Sequence, residues 1–169
     1  MRLLIRIFLF LCLVCLLANC EKDDICVAGN TPLLVVGFYD FEDTTSLKDV
    51  SSLRVRALGF DTSPATFTDR SDQDSIGIPL QVNMASTSFI FISNSATDED
   101  SGTETGVIDT LTFNYNVEED FVSRGCGFVG NYTDLDTTRN VYSTDWIKRI
   151  TIAESNVNSS TQVHVKIFH

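Results

Sequence analysis

Cys20 stands at the junction between an apolar and an acidic segment, and its thiol is the most informative reactive group in the chain. Residues 7–18 are an unbroken apolar run of twelve, and Glu21-Lys22-Asp23-Asp24 follows the cysteine directly. Such a run is too short to cross a hydrocarbon core, which takes about 20 residues. With Arg2 and Arg6 before it, the run has the layout of a secretory signal peptide, so we predict export of the chain.

The residues just before Cys20 indicate which kind of signal peptide this is. A plain secretory signal ends in small residues at positions −3 and −1, whereas Leu17 and Asn19 stand there. Leu17-Ala18-Asn19-Cys20 resembles the bacterial lipobox, although Asn19 replaces the usual Gly, Ala or Ser. The resemblance implies cleavage before Cys20 and acylation of its thiol; the alternatives are a plain secretory signal and an uncleaved anchor. The predicted segments are a signal peptide over 1–19, a lipidated tether over 20–30 and a domain over 31–169.

The mature chain is acidic and has the size of one domain. Cleavage before Cys20 leaves 150 of the 169 residues. The removed segment takes two of the 12 basic residues and no acid, so ten Lys and Arg remain against 23 Asp and Glu, a formal charge of −13. This charge repels phosphate backbones and anionic headgroups. We therefore expect no nucleic-acid partner, and attachment to a membrane through the N-terminal lipid.

Two cysteines, Cys26 and Cys126, remain once the signal peptide is removed and Cys20 is acylated. In an oxidising compartment such a pair predicts a disulfide. The bridge would close a loop of about 100 residues, for which the chain-entropy model gives about 4–5 kcal/mol. The alternative is two reduced, buried thiols, because the sequence does not show whether the two sites meet.

Residue patterns typical of catalytic sites are mostly absent from the mature chain. Its histidines are His164 and His169, and neither has a second histidine at metal-ligand spacing. There is no Gly-x-Ser-x-Gly elbow, phosphate loop or Cys-x-x-Cys after Cys20. A nucleophile paired with His164 through the fold, or two carboxylates in an acidic cleft, are the enzymatic alternatives. We expect a non-enzyme without a cofactor.

One acidic segment has the spacing of a calcium loop. Asp98, Asp100 and Glu104 offer oxygen ligands at alternate positions, and Gly102 allows a sharp turn. The segment resembles the first half of an Asp-x-Asp-x-Asp-Gly loop, but its fifth position is Gly102 and its twelfth is Asp109. A Ca²⁺ site and a solvated acidic loop are both open interpretations.

Short strands joined by polar turns account for the rest of the chain. The segment Leu53–Phe60 alternates so that Arg54 and Arg56 share one face and the apolar residues between them share the other. Leu135–Trp146 is compatible with a short helix or a strand. The predicted strands are Leu33–Tyr39, Leu53–Phe60, Ser75–Val82, Ser88–Ser93, Val107–Tyr115, Phe121–Phe128, Trp146–Ala153 and Gln162–Phe168. Seven to nine strands predict an all-β fold: an antiparallel two-sheet sandwich, immunoglobulin-like or transthyretin-like, in a single domain.

Several segments resemble an uncharacterised lipoprotein family of flavobacteria and other Bacteroidetes, which has no assigned activity. They are Cys20-Glu21-Lys22-Asp23-Asp24-Ile25-Cys26, Phe38-Tyr39-Asp40, Phe89-Ile90-Phe91 and Ser123-Arg124-Gly125-Cys126-Gly127. Within the first, Lys22, Asp23 and Asp24 resemble the acidic export signal that sends Bacteroidetes lipoproteins to the cell surface. A solvated spacer and an outer-membrane lipoprotein facing the periplasm are the alternatives.

Two further features bear on display at a cell surface. Thr44 and Thr137 follow aspartates in the three-residue O-glycosylation pattern of exported Bacteroidetes proteins, in loop-like sequence. Trp146 is either a core residue or a sugar-stacking platform. We expect a lipid-anchored, non-enzymatic binding or structural module of the outer membrane, with an envelope protein or a glycan as its partner. The alternative is a surface hydrolase or glycan-binding lipoprotein that uses acidic loops, with or without Ca²⁺.

Overall fold

The computed structural model describes residues 31–140 and 146–169. Residues 1–30, which include Cys20, the acidic export motif and Cys26, lie outside the described residues. The described chain contains no helix, and so none that could cross a membrane. Its nine strands are β1 (Leu34–Tyr39), β2 (Val50–Ala57), β3 (Ser71–Gln73), β4 (Ser75–Ile78), β5 (Ser86–Thr97), β6 (Glu104–Ser123), β7 (Gly127–Asn140), β8 (Arg149–Ile152) and β9 (Val165–Phe168).

The strands form two sheets. One sheet has four strands in the order β4-β1-β9-β8, and the other has five in the order β3-β2-β5-β6-β7. Every pairing is antiparallel except that of β1 with β9, which is parallel. The predicted all-β, single-domain sandwich of two mainly antiparallel sheets is confirmed.

Alternating residues of both sheets form one hydrophobic core. Leu53 and Val55 are fully buried, whereas Arg54 and Arg56 lie on the outer face of the five-stranded sheet, as the alternation predicts. Trp146 packs against the core, with its ring 6.2 Å from that of Phe38, which favours the core interpretation of this tryptophan. The largest fully buried side chains are Tyr132, Phe38, Phe89, Phe91 and Phe113.

One predicted strand is wrong, and one observed strand lies where no strand was predicted. The segment Phe121–Phe128, predicted as one strand, contains the reversal between β6 and β7. Its apolar residues are cross-strand neighbours rather than successive positions of one strand. The short strand β3 lies in sequence predicted as a loop, because three polar residues carry no alternation signal. The open segment Leu135–Trp146 is strand as far as Asn140, and residues 141–145 are not described.

The long strand β6 joins the two ends of the sandwich. It pairs with β5 as far as Asn114, and from Asn116 onwards it pairs with β7 alone. We call this two-stranded extension, residues 116–133, the ribbon, and its end of the sandwich the ribbon end. The opposite end carries the turn at residues 98–103 between β5 and β6, and we call it the turn end. Twenty residues at about 3.3 Å each give β6 a length on the order of 60 Å.

Candidate functional site

Asp109 is the most buried carboxylate described, and its contacts are structural. Its side chain is fully buried, and one oxygen lies 3.1 Å from Nε of Arg139 on the neighbouring strand β7. The other oxygen accepts hydrogen bonds from the backbone N–H groups of Trp146 and Ile147, at 3.1 and 3.0 Å. The carboxylate thus fixes the chain that leads into β8 onto the five-stranded sheet. A carboxylate held this way is not available to act on a substrate.

His164 is also held in a structural role. Its ring is fully buried, and Nδ1 accepts a hydrogen bond of 3.0 Å from the backbone N–H of Val35. Desolvation lowers its pKa, only partly opposed by the charge of Glu154 and the backbone of Ser159, so the neutral ring is favoured. No hydroxyl or carboxylate among the described residues bonds to its Nε2. The structure therefore gives no support to a nucleophile activated by His164.

Three arginines converge on Glu104 at the turn end. Arg54 lies 2.9 Å from Oε1 of Glu104, and Arg70 lies 3.4 Å from the same oxygen. Arg56 approaches the other carboxylate oxygen at 3.9 Å, and the hydroxyl of Ser95 donates a hydrogen bond of 2.9 Å to Oε1. We call these residues the Glu104 cluster. The cluster holds the loop between β2 and β3, residues 58–70, against the outer face of the five-stranded sheet.

The charge state of Glu104 follows from these contacts. Burial raises its pKa, but the hydrogen bond from Ser95, the charge of Arg54 and the hydrogen bonds from Arg54 and Arg70 outweigh that effect, so the pKa is lowered overall. Arg70 also donates to Ser95 and to Thr97, and Arg54 donates to the carbonyl of Asp61. The guanidinium groups are engaged within the protein, so an anionic ligand would have to displace these partners.

The predicted calcium ligands do not form a coordination sphere. Oδ1 of Asp98 accepts hydrogen bonds from the backbone N–H groups of Asp100 and Ser101, which closes the turn between β5 and β6. These bonds lower the pKa of Asp98. Glu104 points into the arginine cluster instead. Throughout residues 31–140 and 146–169, no three His, Cys, Asp or Glu side chains are grouped so as to hold a metal ion.

Exposed apolar side chains are concentrated on and beside the ribbon. Of the ten large apolar side chains exposed in the described chain, five lie there, and they are Val82, Met84, Phe121, Val122 and Phe128. Phe121 and Phe128 face each other across the ribbon with ring centroids 5.4 Å apart, and they are 59% and 66% exposed. Such a concentration of exposed apolar side chains marks a surface that contacts something else.

A small apolar cleft opens between the loop after β2 and the segment after β4. Its volume is about 300 Å³, and its walls include Ala57, Phe60, Pro79, Leu80 and Phe89. Thr62, Ser63 and Gln81 supply the polar groups of its rim. No acid–base pair lines the cleft, so it is suited to bind an apolar group rather than to perform chemistry on one.

Two tyrosines fix the base of the ribbon to the rest of the sandwich. Tyr132 donates a hydrogen bond of 2.9 Å to the carbonyl of Leu80, and Tyr115 donates one of 2.9 Å to the carbonyl of Gln81. Their rings meet edge to face with centroids 5.0 Å apart. Desolvation raises the pKa of Tyr132 to about 12, and the neighbouring Tyr115 adds to the shift. The segment after β4 is thereby held across the inner face of the ribbon.

The remaining predicted sites fall in different surroundings. Thr44 lies in an exposed turn, as expected, but Thr137 lies within strand β7 opposite Phe113, so the loop assignment for Thr137 is wrong. Cys126 is half-buried in the turn between β6 and β7, and its backbone N–H bonds to the hydroxyl of Ser123. Because Cys26 is not among the described residues, its pairing with Cys126 stays a prediction. The same holds for acylation of Cys20 and for the acidic motif at 22–24.

The ribbon end is not among the sites predicted from the sequence. A signal was present, because the apolar pairs Phe121-Val122 and Phe128-Val129 flank Ser123-Arg124-Gly125-Cys126-Gly127, a segment with two glycines. Apolar residues placed symmetrically about a glycine-containing turn are typical of a hairpin.

The chain folds as an all-β sandwich domain. Its buried polar groups hold strands together, and half of its ten large exposed apolar side chains lie on or beside the ribbon. The chain belongs to the family of unknown function DUF6452, whose model matches residues 52–169. Comparison with curated proteins and with solved structures gave no match. The expected membership of an uncharacterised family is confirmed.

Proposed function

We propose that the protein is a cell-envelope lipoprotein, anchored through Cys20, whose sandwich is a non-enzymatic binding or structural module displayed on the outer membrane. The proposal takes its location from the apolar run, the lipobox-like Leu17–Cys20 and the acidic residues that follow. A folded domain with a net acidic charge suits a crowded cell surface, where it stays soluble and repels anionic headgroups.

The observation that favours a binding or structural module over an enzyme is that the reactive side chains are engaged in structural contacts. Asp109, His164 and Glu104 are the buried or half-buried groups best placed to do chemistry, and each bonds to structural partners. The exposed apolar surface at the ribbon end is instead suited to bind an envelope protein. The cleft is suited to bind the apolar group of a ligand.

Anchoring is tested with Cys20→Ala expressed in its native envelope. The wild-type protein is expected in the membrane fraction with an acylated N-terminal Cys20, and Cys20→Ala is expected to lose membrane association. A soluble, unacylated wild-type protein would contradict the proposal, and so would a Cys20→Ala variant that stays in the membrane.

Surface display is tested separately by replacing Lys22, Asp23 and Asp24 with alanine. If these residues are an export signal, the variant stays lipidated but becomes shielded from protease added to intact cells. Wild-type protein that is itself shielded would place the domain on the periplasmic side and contradict display at the surface. Affinity purification of the tagged lipoprotein from its envelope then tests for the expected partner.

A further inference from the structure

We propose that the aromatic face of the ribbon, formed by Phe121 and Phe128, is the docking surface for residues 25–30 of the same chain. A bridge between Cys26 and Cys126 closes this contact. In this proposal the tether packs on the domain at the ribbon end, and the bridge fixes the point at which it is attached.

The register of the ribbon shows which face the two phenylalanines occupy. Phe121 lies opposite Phe128, and four residues back along β6, Val117 lies opposite Tyr132. Because side chains alternate between faces, Phe121 and Phe128 share the face of Val117 and Tyr132. That face is the inward one, since Tyr132 is fully buried and Val117 packs on the core. The inward face of the ribbon therefore continues past the end of the opposing sheet, and there it is exposed.

The described chain begins beside this face. Leu34, the first residue of β1, pairs with Ile78, the last residue of the antiparallel strand β4. Four residues beyond Ile78, Val82 lies against the ribbon, so close that a Cβ built on Gly130 would be 2.9 Å from its Cγ1. Pro32 is buried. The described chain therefore begins at the ribbon end of the sandwich, on the inward side of the ribbon.

The length of the tether limits where a bridge can form. Cys26 is five residues before Thr31, which gives a reach of at most about 17 Å for extended chain. Cys126 is four residues from Gly130, about 13 Å along a strand. A bridge therefore requires the Cα of Thr31 to lie within about 23 Å of the Cα of Cys126, which is the reach of the tether plus the span of one disulfide. Ile25, Val27 and Ala28 supply apolar side chains beside Cys26, and Glu119 is the charged residue that shares the inward face with the phenylalanines.

One consequence rests on the proposed function. If Cys20 is acylated, only five residues separate it from Cys26, so the lipid is held at the ribbon end. The ribbon tip is then the part of the sandwich nearest the membrane, and the Glu104 cluster lies on the order of 60 Å away along β6.

The docking is tested by nuclear magnetic resonance on the oxidised mature chain, residues 20–169, carrying Cys20→Ser. We expect nuclear Overhauser contacts from the methyl groups of Ile25 or Val27 to the rings of Phe121 or Phe128. Random-coil chemical shifts for residues 25–30, with no such contacts, would overturn the proposal, and so would free thiols at Cys26 and Cys126.

Matched variants on the two faces of the ribbon sharpen the test. Phe121→Ala with Phe128→Ala removes the aromatic face and is expected to return residues 25–30 to random-coil shifts while the Tyr132 resonances stay in place. Val122→Ala truncates a neighbouring exposed side chain on the opposite face and is expected to leave the tether shifts unchanged. Equal effects of the two changes would overturn the assignment of the face. Because this chain carries no lipid, failure of the docking is separate from failure of the lipoprotein proposal.

Discussion

The two ends of strand β6 are held in opposite ways. At the turn end, Glu104 is held by three guanidinium groups and a hydroxyl that all belong to the described domain. At the ribbon end, Phe121 and Phe128 extend an inward apolar face beyond the sheet that should cover it. The polar groups of the turn end find their partners within the sandwich, whereas the apolar side chains of the ribbon end are left exposed. Binding is therefore to be sought at the ribbon end.

The largest expected effect is at the ribbon end. Cys126→Ser removes the proposed bridge and is expected to lower the free energy of unfolding by up to about 4–5 kcal/mol, because the unfolded chain regains the entropy of a loop of about 100 residues. Urea unfolding of the oxidised mature chain measures the change. Cys26→Ser and the double variant are expected to show the same loss. Wild-type stability in either single variant would contradict the bridge.

At the turn end, Glu104→Gln is expected to cost about 2 kcal/mol at pH 7, less than for a fully buried pair because the cluster is part-exposed. The pKa of Glu104 is lower in the folded protein, so its contribution is present above its unfolded pKa and lost as pH falls through the folded one. The variant therefore differs from wild type at neutral pH and converges with it in acid. Glu118→Gln, on the exposed ribbon, is the matched control and is expected to change stability little. A constant difference at every pH would contradict the ionic interpretation.

Tyr132→Phe tests the base of the ribbon. Loss of the hydrogen bond to the carbonyl of Leu80 is expected to cost about 1 kcal/mol at neutral pH. Because the pKa of Tyr132 is raised to about 12, its contribution is complete below the unfolded value near 10 and is lost as pH rises toward 12. The free energy of unfolding is therefore expected to fall more steeply with pH above 10 in wild type than in the variant. Equal slopes would contradict the burial of the Tyr132 hydroxyl.

The smallest effect is expected from calcium at the turn end. Asp98 already accepts the N–H groups of its own turn, and Glu104 is bound to arginine. Adding Ca²⁺ or a chelator is expected to leave the melting temperature unchanged in both wild type and Asp98→Asn. If calorimetry shows saturable Ca²⁺ binding to wild type that Asp98→Asn abolishes, the result would contradict this expectation and support a calcium site.

The architecture could be predicted from the sequence because alternation is a local signal. The separation of Arg54 and Arg56 from Leu53 and Val55 is visible in five residues, and it identified a half-buried strand correctly. The hairpin at residues 121–128 was misread because two apolar strand ends lie close to the turn between them, so they resemble one strand.

The candidate sites were harder to predict because they depend on contacts between distant residues. Glu104 was assigned to calcium from its spacing to Asp98, yet its partners Arg54 and Arg70 lie 50 and 34 residues away. The inward face of the ribbon needs the register of β6 with β7, which periodicity within one strand does not supply. Cys26 and Cys126 could be paired only by counting cysteines.

The central claim is that the lipid anchor and the ribbon tip are tied together, and peptide mapping tests it most directly. The lipoprotein is extracted from its membrane, alkylated without reductant, digested with chymotrypsin, which leaves Cys20 and Cys26 on one peptide, and examined by mass spectrometry. The account predicts one species in which an acylated peptide beginning at Cys20 is joined through Cys26 to the peptide that contains Cys126. Alkylated Cys26 and Cys126, or an unacylated peptide across Cys20, would contradict it.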